Sequence, residues 1–173
     1  MTHLADHCVA APVRARAVPG PRRTSLARHS APSRDPRWSA VSAALSALRA
    51  RNRRSVRIVD ADCGRGTLLL CAVRHARALG FTAIEARGID TAPRDVARAR
   101  VTAARLHDPA IGIAFETGDL VAALETECAL PADIVLWHGP SGDVAAERAV
   151  ACAGRTLIAD PAPTDVGALG MVA

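Results

Sequence analysis

Five short clusters place carboxylates or a histidine where the chain turns: Asp60-Ala61-Asp62-Cys63-Gly64-Arg65-Gly66, Gly88-Ile89-Asp90, Thr117-Gly118-Asp119, His138-Gly139-Pro140 and Ala159-Asp160-Pro161. In the first, Gly64 and Gly66 let the backbone turn sharply and approach a ligand with no Cβ in the way. A helix starting near Gly66 or Thr67 would aim its free amides at the same spot. The cluster is no phosphate loop, because the chain has no Lys and the glycines are too few. A dinucleotide fingerprint would put its third glycine at Leu69, which is bulky, and Asp60 would repel a phosphate unless turned away. An acidic residue beside such a turn suits instead a ligand with an ammonium or sulfonium group. Cys63 is expected to line the loop rather than attack. His138 could take a proton from a hydroxyl or thiol, or it could simply close a strand. No nucleophile triad is found.

These residues need a scaffold, and the apolar periodicity supplies one. Pro36, Trp38, Val41, Leu45 and Leu48 recur at helical spacing, with Asp35 as cap and Pro36 at the first position. Residues 55–60 form a short β-branched run, followed by a helix face (Leu68, Leu69, Ala72, Val73, Ala76, Leu79) that stops at Gly80. The alternation repeats: strands at 82–90, 111–116, 132–138 and 155–160, helices at 93–106, with Val96, Ala99, Val101 and Ala103, and at 141–151, and one or two turns at 120–127. This predicts an α/β fold with a doubly wound, mainly parallel sheet of about five strands. The run at 132–138 is nearly all apolar, as expected of a central strand covered on both faces. Every cluster falls at a strand's carboxyl end, where ligands bind in such sheets. Each Asp could equally cap the helix that follows.

At this point the chain resembles the class I S-adenosylmethionine-dependent methyltransferases. Their first motif is an acidic residue, one residue, then Gly-x-Gly-x-Gly, and Asp60 to Gly66 follows it, with Asp62 where the first glycine is expected. The resemblance implies that the loop of Asp62, Cys63, Gly64 and Gly66 wraps the methionine part of the cofactor S-adenosyl-L-methionine, with Asp60 supporting its amino group. Asp90 matches the acid that accepts hydrogen bonds from the ribose hydroxyls, and Asp119 the acid that contacts the adenine amino group. His138 stands where the family commonly places substrate-facing residues. Asp62 could distort the pocket or bond the ligand amine itself. The resemblance covers residues 36–160 and implies a Rossmann-like fold truncated at its C-terminal edge, because too few residues follow Asp160 for the family's last two strands. A second copy, forming a homodimer through the exposed edge, is the expected cover.

Composition sets the remaining bounds. Hydrophobic residues make up 50% of the chain, yet there are only two Phe, two Trp and no Tyr against 38 Ala, which suits helices laid closely on a sheet. All 22 basic residues are Arg, read as codon bias. Residues 1–37 carry seven Arg against Asp6 and Asp35, while the rest balances fifteen Arg with fifteen acids. The organisation expected is therefore a flexible Arg/Pro-rich tail at 1–35 and a Rossmann-like domain at 36–173. The tail reads as a transit peptide, an upstream start or a plain leader. A neutral body with one basic arm lacks the continuous positive surface that nucleic acid requires, and the motif of amino-group methylation on bases is absent after residue 137. Small acceptors are thus favoured. His3, His7 and Cys8 are set aside as a metal site. Five widely spaced cysteines read as reduced and cytoplasmic, and no apolar run approaches a membrane span. Three activities stay open: a small-molecule methyltransferase working by in-line transfer, which leads; a degenerate, non-catalytic relative acting through a partner; and a nucleotide or dinucleotide enzyme.

Overall fold

The structure, a computed structural model, describes residues 35–139 and 142–161. Apart from Asp35, the expected tail lies outside the described residues, as do His3, His7 and Cys8. Within them the order is α1 (Trp38–Ala50), β1 (Ser55–Ala61), α2 (Thr67–Ala78), β2 (Ala83–Asp90), α3 (Pro93–Ala103), β3 (Ile111–Thr117), α4 (Leu120–Glu125), a 3-10 turn (Thr126–Ala129), β4 (Ile134–Trp137), α5 (Val144–Ala153) and β5 (Leu157–Ala159). All five strands are parallel, in the order β3-β2-β1-β4-β5. This is the Rossmann-like order, and the winding reverses between β1 and β4. The described sheet ends at β5, where Leu157 is 44% exposed. No described helix is long and apolar enough to cross a membrane.

Side chains alternate along a strand, and that alternation sorts the core into two layers. Val56 and Ile58 of β1, Ile134 and Leu136 of β4 and Ile158 of β5 pack on one face with Val41 and Leu45 of α1, the apolar side of α2 and Val96 and Ala99 of α3. Val59 and Ala61, Val135 and Trp137 face the other way, against Leu124 of α4 and Ala149, Val150 and Ala153 of α5. Trp137 is therefore core.

Helix α3 ends three residues short of its expected bound and α5 starts three residues late, behind the Asp143 cap, and ends two residues late; two further expectations need correction. Helix α1 begins at Trp38, two residues late, because the Asp35 carboxylate accepts the backbone N–H of Arg37 (3.0 Å) and closes a turn ahead of the helix. Val101 is 62% exposed, since a residue five places after buried Val96 lies about 140° round the helix. A buried carboxylate that the pattern did not foretell is Glu127 in the 3-10 turn, held between Arg57 (2.8 Å) and Arg87.

Phe115 of β3 explains two glycines. A Cβ at Gly88 would lie 2.4 Å from its ring and 2.9 Å from Cys63 Sγ, and one at Gly66 would lie 2.4 Å from the same ring. Gly66 also has φ +68°, the left-handed region. The ring thus lies directly under the loop that follows β1. Gly88→Ala is expected to cost about 1–3 kcal/mol in urea unfolding, the range for overpacking a core. Adding Phe115→Leu should recover part of that loss, and strictly additive effects would show that the ring is not the cause.

Candidate functional site

The parity that builds the first core layer also builds the site. Asp60 continues the Val56, Ile58 series of β1, His138 the Ile134, Leu136 series of β4, and Asp160 follows Ile158 of β5. Three polar side chains therefore arrive at the carboxyl ends of three adjacent strands on one face, beneath the start of α1. Asp60 is 1% exposed, and its Oδ1 has no hydrogen-bond partner among the described residues. Burial pushes its pKa up to about 7, although the positive charge of Arg37 pulls the other way.

Arg37, counted with the tail by charge alone, is 3% exposed. Its Nε and Nη2 donate to Asp35 Oδ1 (3.1 Å) and Oδ2 (3.0 Å), a two-pronged pair. The same Nε lies 3.3 Å from Asp160 Oδ1, and Nη2 reaches His138 Nε2 at 3.4 Å. Nη1 has no partner among the described residues. His138 in turn sets Nδ1 3.1 Å from Asp160 Oδ2. Burial opposes ionisation of Asp35, but the hydrogen bonds of Arg37 outweigh it and hold the carboxyl below the ordinary value.

The loop after β1 is stitched to the end of β2. Cys63 N–H donates to Ile89 O (2.9 Å), and the two oxygens of Asp90 accept the amides of Gly64 (2.6 Å) and Ala92 (2.7 Å). Asp90 thus fixes the loop, and since a carboxylate offers about four lone-pair sites it keeps capacity for a ligand hydroxyl. Asp62 has φ +68°. Aspartate enters this region more readily than most residues with a side chain, as an occasional single residue, so the turn after β1 accommodates it. Burial, and then the charge of Asp90, raise its pKa. Cys63 is buried, and burial followed by the charges of Asp60, Asp90 and Asp62 raises its thiol well above the usual range, which fits lining and not attack. A Cβ at Gly64 would meet nothing within 4 Å, so the loop's outer side is open.

Asp119 stands apart. It is exposed and caps α4, its Oδ1 accepting the Ala122 amide at 2.9 Å, so of the two readings of this residue the cap is observed. Asp60, Asp62, Cys63, Gly64, Gly66 and Asp90 are gathered around one loop, and His138 joins them through Arg37. The sequence reading missed Arg37, and it placed Asp160 in a strand-end cluster without giving it a role; the two-residue step from Ile158 would have put it on the face of the site. Two grooves, of about 670 Å³ between α2 and α3 and about 520 Å³ at the opposite end of the sheet, hold none of these gathered residues.

No protein-family model and no curated protein matches the chain. Among solved structures it is similar to the magnesium protoporphyrin IX methyltransferase of Synechocystis with bound S-adenosylhomocysteine, at 19% identity over 69% of this chain and 54% of that one, TM-score 0.47. It is similar also to the plantazolicin methyltransferase, at 18% identity over 69% of this chain and 40% of that one, TM-score 0.48. A third is human methyltransferase-like protein 13, at 12% identity over 69% of this chain and 60% of that one, TM-score 0.45. The chain spans less than two thirds of each.

Proposed function

We propose that the crevice beyond β1 and β4 binds S-adenosyl-L-methionine and that the protein is a methyltransferase for a small acceptor. The observation that carries this reading is the pair of buried opposite charges, Asp60 and Arg37, each with one polar atom lacking a partner among the described residues. An unpaired buried donor and an unpaired buried acceptor are costly. The ammonium and carboxylate of an amino-acid end would satisfy both. Asp60 and Arg37 would hold that end, the open loop of Asp62 to Gly66 would wrap it, and the remaining lone pairs of Asp90 would receive the ribose. When bound, the cofactor supplies an electrophilic methyl carbon on a sulfonium. His138 is the candidate base for an acceptor hydroxyl or thiol. Asp119, whose Oδ1 caps α4 and whose Oδ2 has no hydrogen-bond partner among the described residues, is the candidate for the adenine contact.

One observation favours a second reading, a degenerate binding protein that acts through a partner: both oxygens of Asp90 already hold backbone amides. Calorimetric titration of the purified chain with S-adenosylhomocysteine, with NAD as control, separates the readings. Saturable binding of the first alone is expected. If the folded protein binds neither, the cofactor assignment is wrong, and preference for NAD would favour a dinucleotide enzyme. We further read the protein as cytoplasmic and as pairing with a second copy across the exposed β5 edge, which sedimentation would test.

A further inference from the structure

His138 has two ring nitrogens, and only one bearing a lone pair can accept a proton. Its neighbours decide which. A guanidinium has donors and no acceptor, so the nitrogen facing Arg37 Nη2 at 3.4 Å, Nε2, presents its lone pair. An ionised carboxylate only accepts, so the nitrogen 3.1 Å from Asp160 Oδ2, Nδ1, carries the hydrogen. Neither neighbour can exchange its role; the 3.1 Å contact to Asp160 is the one within hydrogen-bond range and sets the tautomer, and the longer contact to Arg37 is compatible with it. The backbone makes the pairing a property of the sheet: β4 and β5 align Trp137 with Ala159, and the next residues in each strand are His138 and Asp160. Their alternation puts both on the face of Leu136 and Ile158, beneath α1.

We propose that Asp160 is a positioning residue for His138, holding the ring as the neutral tautomer with its proton on Nδ1 and its one lone pair on Nε2. As to function, this rests on the methyltransferase reading and narrows the acceptor to one that arrives protonated, a hydroxyl or thiol. The acceptor's proton passes to Nε2 while the O–H or S–H bonding pair stays on the acceptor atom, and Asp160 pairs with the imidazolium formed. The contact to Arg37 does not compete strongly, since 3.4 Å lies beyond the usual hydrogen-bond range. The charged groups around the ring are Arg37, Asp35 and Asp160, with Asp60 and Asp62 also feeling a charge placed on it.

The test uses the full chain labelled with 15N-histidine, in long-range proton–nitrogen correlation spectra at pH 8 without any ligand, the His138 signals assigned by their loss in His138→Gln. Nδ1 is expected at a protonated and Nε2 at a lone-pair shift. In Asp160→Ala both signals should move toward the average of a tautomer mixture, and Asp160→Glu should return them toward wild type. A wild-type ring protonated at Nε2 overturns the proposal, and that spectrum decides even if Asp160→Ala does not fold. So does a folded Asp160→Ala with unchanged shifts. Failure of the cofactor reading is seen separately, in the S-adenosylhomocysteine titration.

Discussion

Asp60→Asn is expected to make the protein more stable at pH 8 and, at the same time, to remove its affinity for S-adenosylhomocysteine. An aspartate has a pKa near 3.8 in the unfolded chain and about 7 in this site. Between those values the folded state binds more protons than the unfolded one, so stability falls as pH rises from about 4 to about 7 and is flat above. At about 1.4 kcal/mol per pKa unit, the burden at pH 8 is of order 4 kcal/mol. Asparagine has nearly the same shape and no charge to bury, while Arg37 keeps Asp35 and Asp160 as partners. Urea unfolding should therefore show little difference between variant and wild type at pH 4 and a gap of several kcal/mol at pH 8. A gap that does not change with pH would remove burial of the charge as its cause.

The same reasoning predicts the ligand's side of the exchange. A bound ammonium favours the ionised carboxylate, so binding expels a proton, and affinity should climb with pH up to about 7. Stability given up at one buried acid would then be recovered on binding, the trade expected of a site and not of a core. A core position with no ligand would gain nothing from keeping Asp60.

How much of this could be read from residues alone depends on which contacts are local. The strand and helix alternation was legible because period 2 and period 3.6 differ over a few residues: β2, β4 and β5 lie within their expected runs, and β1 and β3 extend theirs by one residue. The loop from Asp60 to Gly66 and its link to Asp90 were legible because glycines and carboxylates punctuate strand ends. Arg37 was not. Its charge counts with the Arg-rich segment before it, and only the return of α1 over the sheet carries it to Asp160, far away in sequence. Glu127 escaped for the same reason, being buried in its 3-10 turn by Arg57 of β1 and Arg87 of β2. The role of Phe115 was hidden too, since contact with Gly66 and Gly88 follows from strand register and not from local pattern.

Arg37→Met should be strongly destabilising. The side chain is buried and serves Asp35, Asp160 and His138 together, while its positive charge also eases the ionisation of Asp60. Methionine fills much of the volume but leaves a cluster of carboxylates with no counter-ion, and removing one partner of a buried ion pair typically costs about 3–5 kcal/mol. Arg37→Lys should fall between, since an ammonium keeps the charge but cannot span both Asp35 oxygens as the fork does. The pH dependence runs opposite to that of Asp60. Asp35 is held below its ordinary value, so its pairing stabilises the fold above the unfolded pKa and is lost as pH falls through the folded one. The cost of Arg37→Met, read by urea unfolding, should accordingly be large at pH 7 and shrink in acid as Asp35 takes up its proton. A cost that stayed constant into acid would mean that Arg37 acts through packing of its stem, and the charge cluster at the ends of β1, β4 and β5 would lose its central member.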